Sequence, residues 1–158
     1  ANTQNIPTIR ETEWLKLGDL EIGLLPAPSK MSASFSGIVI RHMNKLLVYC
    51  PHGYTLTKAD LKILKPYHPT FLITSFSTFK LPFYLGGFVN PGLEKAKTLV
   101  KQLNPKHIIA THDEEKHASG LIKKMAKVYY PSKEELSIHF PNIFINLNYT
   151  DKTLEITI

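Results

Sequence analysis

The sequence predicts an α/β (α+β) domain in which helices cover one face of a layered, mixed β-sheet. Short apolar runs bounded by turn residues are typical of buried strands. They alternate with longer segments whose apolar residues recur at helical spacing. The 158 residues, 43% of them hydrophobic, suffice for a continuous core. We therefore expect a single domain over residues 1–158.

The first half of the chain contains three apolar runs of strand length. They occupy residues 19–26, 36–41 and 45–51, and a tight turn at 42–44 joins the last two. The segment "TKAD" (57–60) resembles a capping box, which marks the start of a helix. We expect that helix over residues 58–65, and a buried strand in "TFLITS" (70–75) after it.

The second half continues with strand and helix patterns. Residues 76–92 are expected to form a long loop that ends with Asn90 as a helix N-cap and Pro91 as the first helical residue. Apolar residues recur at helical spacing over the next segment. The expected order is therefore a helix at 91–104, a buried strand at 107–111 and a helix at 113–127.

The last segment predicts a short helical turn and a hairpin. The turn is expected around residues 132–137, after Pro131. Residues 143–148 and 153–158 have strand-like alternation and are separated by "YTD", so we expect them to pair.

Composition excludes several function classes. The formal charge is +6, but the lysines occur singly or in pairs on the polar sides of predicted helices, so nucleic acid is not the expected partner. The longest apolar runs fall short of the roughly 18 residues of a membrane helix, so no membrane association is expected. The single cysteine, Cys50, excludes an internal disulfide and favours a reducing, cytoplasmic location.

Candidate functional residues follow two predicted strand ends. "ATHDEEKH" (110–117) places His112 directly after a strand and at the start of a helix, where ligand groups gather in α/β proteins. Asp113 fits both a helix cap and a metal ligand, and both readings stay open. His117 lies one helical turn further on, as a candidate substrate-binding residue. His52 occupies the corner "CPHG" after another strand.

These two strand ends resemble the C-terminal half of the metallo-β-lactamase superfamily. The resemblance rests on "GIVIRHMNKLLVYCPHGYT" and "VNPGLEKAKTLVKQLNPKHIIATHDEEKHASGLI" and covers about residues 14–128. It implies one half of a duplicated αββα sandwich with a metal site between the halves. In this comparison His112 matches the family's last metal-ligand histidine, and His52 and Asp113 are the further metal candidates.

Two departures from the family pattern indicate an incomplete metal site. The H-x-H-x-D-H signature is absent, and "CPHG" replaces the bridging aspartate. Catalytic zinc normally has three protein ligands. We therefore expect zinc, manganese or another divalent metal to bind weakly or not at all. The chain is either trimmed, with the signature ligands on a missing half, or a degenerate member.

Three functions stay open from the sequence. The chain is part of, or derived from, a metal-dependent hydrolase acting on an unidentified small-molecule substrate; or it is a catalytically silent binding or assembly module; or it belongs to the nucleic-acid-processing members of the superfamily. If it is one half of the fold, its sheet would expose an apolar face. The expected partner is then a second copy, giving a homodimer, or a chain that supplies the missing half.

Overall fold

Short strands and helices alternate along the chain in the computed structural model, which describes residues 13–25, 37–51, 54–111 and 120–147. The described strands are β1 (Leu15–Leu17), β2 (Leu20–Leu25), β3 (Gly37–His42), β4 (Lys45–Cys50), β5 (Phe71–Thr74), β6 (Thr78–Lys80), β7 (Phe88–Pro91), β8 (His107–Ala110), β9 (Lys127–Tyr129) and β10 (Phe144–Ile145). The described helices are α1 (Lys58–Leu64), α2 (Leu93–Leu103), α3 (Gly120–Met125) and α4 (Lys133–His139), with 3-10 turns at Lys65–Tyr67 and Phe83–Leu85.

Seven of the strands form a large mixed sheet in the order β1-β2-β3-β4-β5-β8-β10. The first four pair antiparallel, whereas β4, β5, β8 and β10 run parallel to one another. The parallel strands are short apolar runs, as expected for strands at the centre of a layered domain. Their carboxyl ends therefore meet at one edge of the sheet.

The remaining three strands form a small antiparallel sheet in the order β7-β6-β9. Strands β6 and β7 are the two arms of a hairpin, which we call the aromatic hairpin (residues 78–91). Strand β9 pairs with β6 on the side away from β7, so β6 is the central strand. The small sheet thus joins a segment after β5 to the segment that follows α3.

The core lies between the large sheet and its helices. Alternate strand residues, including Val39, Val48, Leu72 and Ile108, pack in one cluster with residues of α1, α2 and α4. Thr57 and Asp60 form the expected capping box at the start of α1. The layered α/β class is confirmed.

The strands expected at 36–41, 45–50, 70–74 and 107–111 are confirmed within a residue or two as β3, β4, β5 and β8. Helix 58–65 corresponds to α1. Strand β1 was not anticipated, because its three residues are too few to show a period. The strand expected at 143–148 is present as β10, which pairs parallel with β8, while its expected hairpin partner at 153–158 lies outside the described residues.

The expectation of a loop over 76–92 is wrong, because β6 and β7 form a hairpin there. The helix after it begins at Leu93 with Gly92 as its N-cap, whereas Asn90 and Pro91 belong to β7. The helix expected over 113–127 also ends earlier, since α3 stops at Met125 and Lys127 starts β9, while residues 113–119 lie outside the described residues. In each case pairing with another strand overrides the local signal.

The helical turn expected around 132–137 is the full helix α4, with Ser132 as its N-cap. Its hydroxyl accepts a hydrogen bond from the backbone N–H of Glu135 at 3.2 Å. Among the described residues, the helices are too short and too polar for any of them to span a bilayer.

Candidate functional site

The carboxyl ends of β4, β5 and β8 form one registered edge of the large sheet, which we call the carboxyl edge. Cys50 is the Cα partner of Thr74, and Thr74 is the partner of Ala110. The Thr74 hydroxyl donates to the Cys50 carbonyl at 2.8 Å, and the Thr111 N–H donates to the Thr74 carbonyl at 3.0 Å. Three chain segments therefore leave the sheet side by side.

The sequence-predicted site residues follow these strand ends but lie outside the described residues. His52 comes directly after Pro51, and His112, Asp113 and His117 come after Thr111. Pro51 and Thr111 are at the same edge with β5 between their strands, so the strands that carry them are about 10 Å apart. That His52 and His112 line one pocket stays a prediction.

A buried cluster of polar side chains, Ser75, Ser77 and Asn90, follows β5 at the carboxyl edge. The Asn90 amide donates to the Ser75 hydroxyl at 2.8 Å and is 3.5 Å from the Ser77 hydroxyl. The two hydroxyl oxygens are 3.1 Å apart. Because buried polar groups are costly unless paired, this serine–asparagine cluster fixes the segment after β5 against the base of the aromatic hairpin.

Gly92 closes the same junction. Its N–H donates to the Asn90 side-chain oxygen at 3.2 Å, and its φ of 60° lies in the left-handed region. A Cβ at this position would lie 2.4 Å from the Thr78 hydroxyl and 2.7 Å from the Phe76 and Ser77 carbonyls. Only glycine allows α2 to start this close to the carboxyl edge.

Asp60 places a fully buried carboxylate in the first turn of α1, which follows β4 along the chain. Its Oδ2 accepts from the Tyr54 hydroxyl at 3.1 Å and from the Thr57 N–H at 2.7 Å. Its Oδ1 is buried without a hydrogen-bond partner in the part of the chain that the structure describes. Asp60 thus ties both ends of segment 54–57 to the start of α1.

Two further titratable residues, Cys50 at the end of β4 and Lys95 on α2, are close enough to interact electrostatically. Burial, followed by the nearby Asp60 carboxylate, raises the pKa of the Cys50 thiol to about 12. Burial also lowers the pKa of Lys95 on α2. Since the thiolate is the nucleophile and metal ligand, Cys50 is an inert core residue at neutral pH.

The opposite edge of the large sheet has a pocket of about 410 Å³ with a different character. Its floor is apolar (Leu61, Leu64, Pro69 and Leu103), and its rim carries Lys65, His68, Gln102 and Asn104. The polar rim side chains are exposed, whereas the polar side chains at the carboxyl edge are buried. In open α/β sheets, ligands bind at the carboxyl ends of the strands. We therefore place the candidate site at the carboxyl edge and not at this pocket.

Sequence reasoning missed the polar residues that surround the candidate site. Ser75 is the last residue of the expected strand 70–75, and Ser77 and Asn90 belong to the segment expected to be a loop. Their pairing depends on the hairpin that brings Asn90 back to the end of β5. Asp60 was recognised as a capping residue through "TKAD", but no local pattern could show that its second oxygen is buried and unpaired.

Comparison with known proteins locates the fold. No family model matches the sequence, and neither does any curated protein. Among solved structures, the chain is similar to CmlA, a diiron β-hydroxylase from Streptomyces venezuelae, with a TM-score of 0.52 and 14% identity. The similarity covers 68% of this chain and 25% of CmlA. The chain therefore spans about a quarter of the length of that protein.

Two further structures show weaker similarity. The isothiocyanate hydrolase from gut bacteria of Delia radicum has a TM-score of 0.48 and 19% identity, covering 69% of this chain and 45% of that one. The metallo hydrolase Igni18 from Ignicoccus hospitalis has a TM-score of 0.45 and 21% identity, covering 67% and 43%. All three have the metallo-β-lactamase fold. The similarity to CmlA shows that this chain has the metallo-β-lactamase fold, as the sequence resemblance predicted.

Proposed function

We propose that this chain is part of, or derived from, a metal-dependent hydrolase and that the carboxyl edge is its active-site edge. The observation that carries the proposal is the register of Cys50, Thr74 and Ala110, after which the candidate ligands His52, His112 and Asp113 follow in the chain. The buried serine–asparagine cluster and Asp60 support it, because both hold loops at that same edge.

The described residues alone do not fit a metal centre. Among them, no group of three or more histidine, cysteine, aspartate or glutamate side chains could hold a metal ion. Cys50 keeps its proton, and one oxygen of Asp60 is already committed to Tyr54 and Thr57. A metal would require His52, His112 and Asp113, with further ligands from elsewhere. A catalytically silent binding module is therefore the second candidate.

Metal binding separates the two candidates. We expect the purified chain to retain little zinc or manganese after dialysis and to bind added metal weakly, because His112 is the one firm ligand, fewer than the three protein ligands that catalytic zinc normally has. His112→Ala and His52→Ala should each abolish this residual binding, measured by calorimetry and elemental analysis. His68→Asn is the matched control, since His68 is exposed at the opposite edge and has a positive φ that asparagine tolerates.

Several results would decide against the hydrolase proposal. Binding that survives both histidine substitutions would place the metal elsewhere. No binding at millimolar metal would favour the silent module. If a longer form of the protein binds metal at near-stoichiometric levels and loses it with His112→Ala, the carboxyl edge is the metal edge. Esters, thioesters and phosphodiesters would then be screened as small-molecule substrates.

The partner proposal rests on the face of the large sheet opposite the helices. Pairing in register arranges its half-buried apolar residues in two rows across the strands. One row contains Ile22, Ile40, Leu47 and Phe71, and the other contains Leu24, Ile38, Tyr49, Ile73 and Ile109. We propose that a second copy, or a chain supplying the missing half of the fold, packs on this face.

Light scattering tests this partner proposal. We expect the chain to dimerise at micromolar concentration and Ile40→Lys or Ile73→Lys to weaken association, because each places a charge on the packed face. Lys101→Ala on the exposed side of α2 is the control. A wild-type protein that remains monomeric at micromolar concentration would refute the contact with a second copy. A cytoplasmic location is part of the same proposal, supported by the free thiol of Cys50.

A further inference from the structure

The aromatic hairpin carries large apolar side chains that the core does not use. Phe83 is 89% exposed, Tyr84 69%, Leu85 45% and Phe88 57%. A single exposed apolar residue is ordinary on a protein surface, but four within six positions form a contiguous patch. Such a patch marks a contact surface or a site prone to aggregation.

The tip of the aromatic hairpin is an ordered turn. The Leu81 N–H donates to the Gly87 carbonyl at 2.8 Å, and the Leu85 N–H donates to the Pro82 carbonyl at 2.9 Å. Gly86 and Gly87 have positive φ values of 111° and 67°, which the turn requires. The Phe83 and Tyr84 rings meet edge to face, with centroids 6.1 Å apart. The hydrogen-bonded turn therefore holds both rings at the surface.

Two lysines lie beside this tip on the small sheet. Lys80 on β6 is the Cα partner of Lys127 on β9, so their side chains are on the same face. On the other side of Lys80 is Phe88, whose ring centroid is 4.5 Å from the Lys80 Nζ. We call Lys80 and Lys127 the lysine pair. Like charges directly opposite each other in a sheet are destabilising, so the lysine pair does not stabilise the fold. A bound anion would offset the repulsion between the two lysines.

No carboxylate of the small sheet offsets the lysine pair. Residues 78–91 and 127–129 contain no aspartate or glutamate. Within the described ranges, the ion pairs involve other residues. The acidic group next to β9 is Glu135 on α4, and it accepts a hydrogen bond from the Tyr129 hydroxyl. In the described part of the chain, the small sheet thus combines an apolar tip with a lysine pair that forms no ion pair.

We propose that the aromatic hairpin binds an anionic lipid surface, with Phe83, Tyr84 and Leu85 inserted among the lipids and the lysine pair at the headgroups. Aromatic side chains favour the boundary between headgroups and acyl chains, and basic residues near it attract anionic lipids. A tip of three consecutive exposed residues offers little area to a protein partner, whose interface typically buries about 800 Å² per side. Insertion into a lipid layer does not need an interface of that area.

This lipid contact is independent of the metal-site proposal and opposes the sequence-based expectation of no membrane association. Co-sedimentation with vesicles tests it, using phosphatidylcholine alone or with about one-third phosphatidylserine. We expect binding to the mixed vesicles and weaker binding to phosphatidylcholine. The double variant Phe83→Ala/Tyr84→Ala should lose binding to both. Lys80→Ala/Lys127→Ala should weaken binding to mixed vesicles by about fivefold per lysine and remove most of its salt dependence.

Ile138→Ala on α4 is the control, because Ile138 is exposed on an element outside the small sheet and should leave vesicle binding unchanged. Circular dichroism shows whether each variant folds. Absence of binding to mixed vesicles would overturn the proposal, and so would equal binding by the Phe83→Ala/Tyr84→Ala variant. If that variant instead abolishes self-association in solution, the tip contacts a second copy of the chain and the lipid proposal is wrong.

Discussion

The large and small sheets use their apolar residues in opposite ways. In the large sheet the helix-facing residues, such as Leu72 and Ile108, are fully buried in one core cluster. In the small sheet Phe88, Val89, Val128 and Tyr129 are exposed, as is the tip between β6 and β7. Both sheets are rich in β-branched and aromatic residues, so composition alone does not separate them.

The difference lies in what holds each sheet in place. Helix packing and burial stabilise the large sheet. Backbone pairing and the buried serine–asparagine cluster hold the small sheet, through Asn90 and Gly92 at its base. Its exposed apolar side chains, such as Val89 and Val128, are consequently available for contacts outside the fold. The large sheet supplies the buried core, and the small sheet carries the exposed apolar residues on which the lipid proposal rests.

Truncation of one large side chain in each sheet gives the widest contrast. Leu72→Ala on the central strand β5 should lower the free energy of unfolding by about 3–4 kcal/mol, because Leu72 has no exposed surface and its loss leaves a cavity. Phe83→Ala should change it by less than about 0.5 kcal/mol. Urea denaturation measures both. A loss of more than about 1 kcal/mol for Phe83→Ala would show that the tip packs within the fold.

Substitution at the junction between the sheets should come next. Gly92→Ala combines a positive φ with contacts of 2.4–2.7 Å to residues 76–78, so we expect a loss of about 2–3 kcal/mol. Gly18→Ala is the matched control, since Gly18 has nearly the same φ and nothing within 4 Å. It should lose about 1 kcal/mol from backbone strain alone. Equal losses would mean that the close approach at Gly92 relaxes without cost.

Sequence patterns predicted the large sheet better than the small one for a physical reason. Strands β3, β4, β5 and β8 are buried, so their apolar runs carry a strong local signal. Strands β6, β7 and β9 are three or four residues long and lie largely at the surface, so they lack the apolar run that marks a buried strand. For the same reason the edge at which β4, β5 and β8 end could be predicted, whereas the contact between Asn90 and Ser75 could not.

The buried thiol of Cys50 gives the large sheet a pH dependence. Its pKa is about 12 in the folded protein and about 8.5 when unfolded, so above pH 8.5 only the unfolded chain releases the proton. Stability is then lost as pH rises from the unfolded toward the folded pKa. Between pH 8 and pH 10, wild type under reducing conditions should lose about 1–2 kcal/mol more than Cys50→Ala. Parallel pH profiles of the two proteins would show that the thiol is solvated.

Charge reversal in the lysine pair should have the smallest effect on stability, and in the opposite direction. Lys127→Glu replaces a like-charge pair opposite Lys80 with an ion pair, so the free energy of unfolding should rise by about 0.5 kcal/mol. Lys124→Glu on α3 reverses the same charge on an exposed residue outside the small sheet and should give no such gain. The same Lys127→Glu protein should bind anionic vesicles less tightly than wild type. If the substitution instead destabilises the fold or strengthens vesicle binding, the lysine pair stabilises the fold. The small sheet would then not differ from the large sheet at this position.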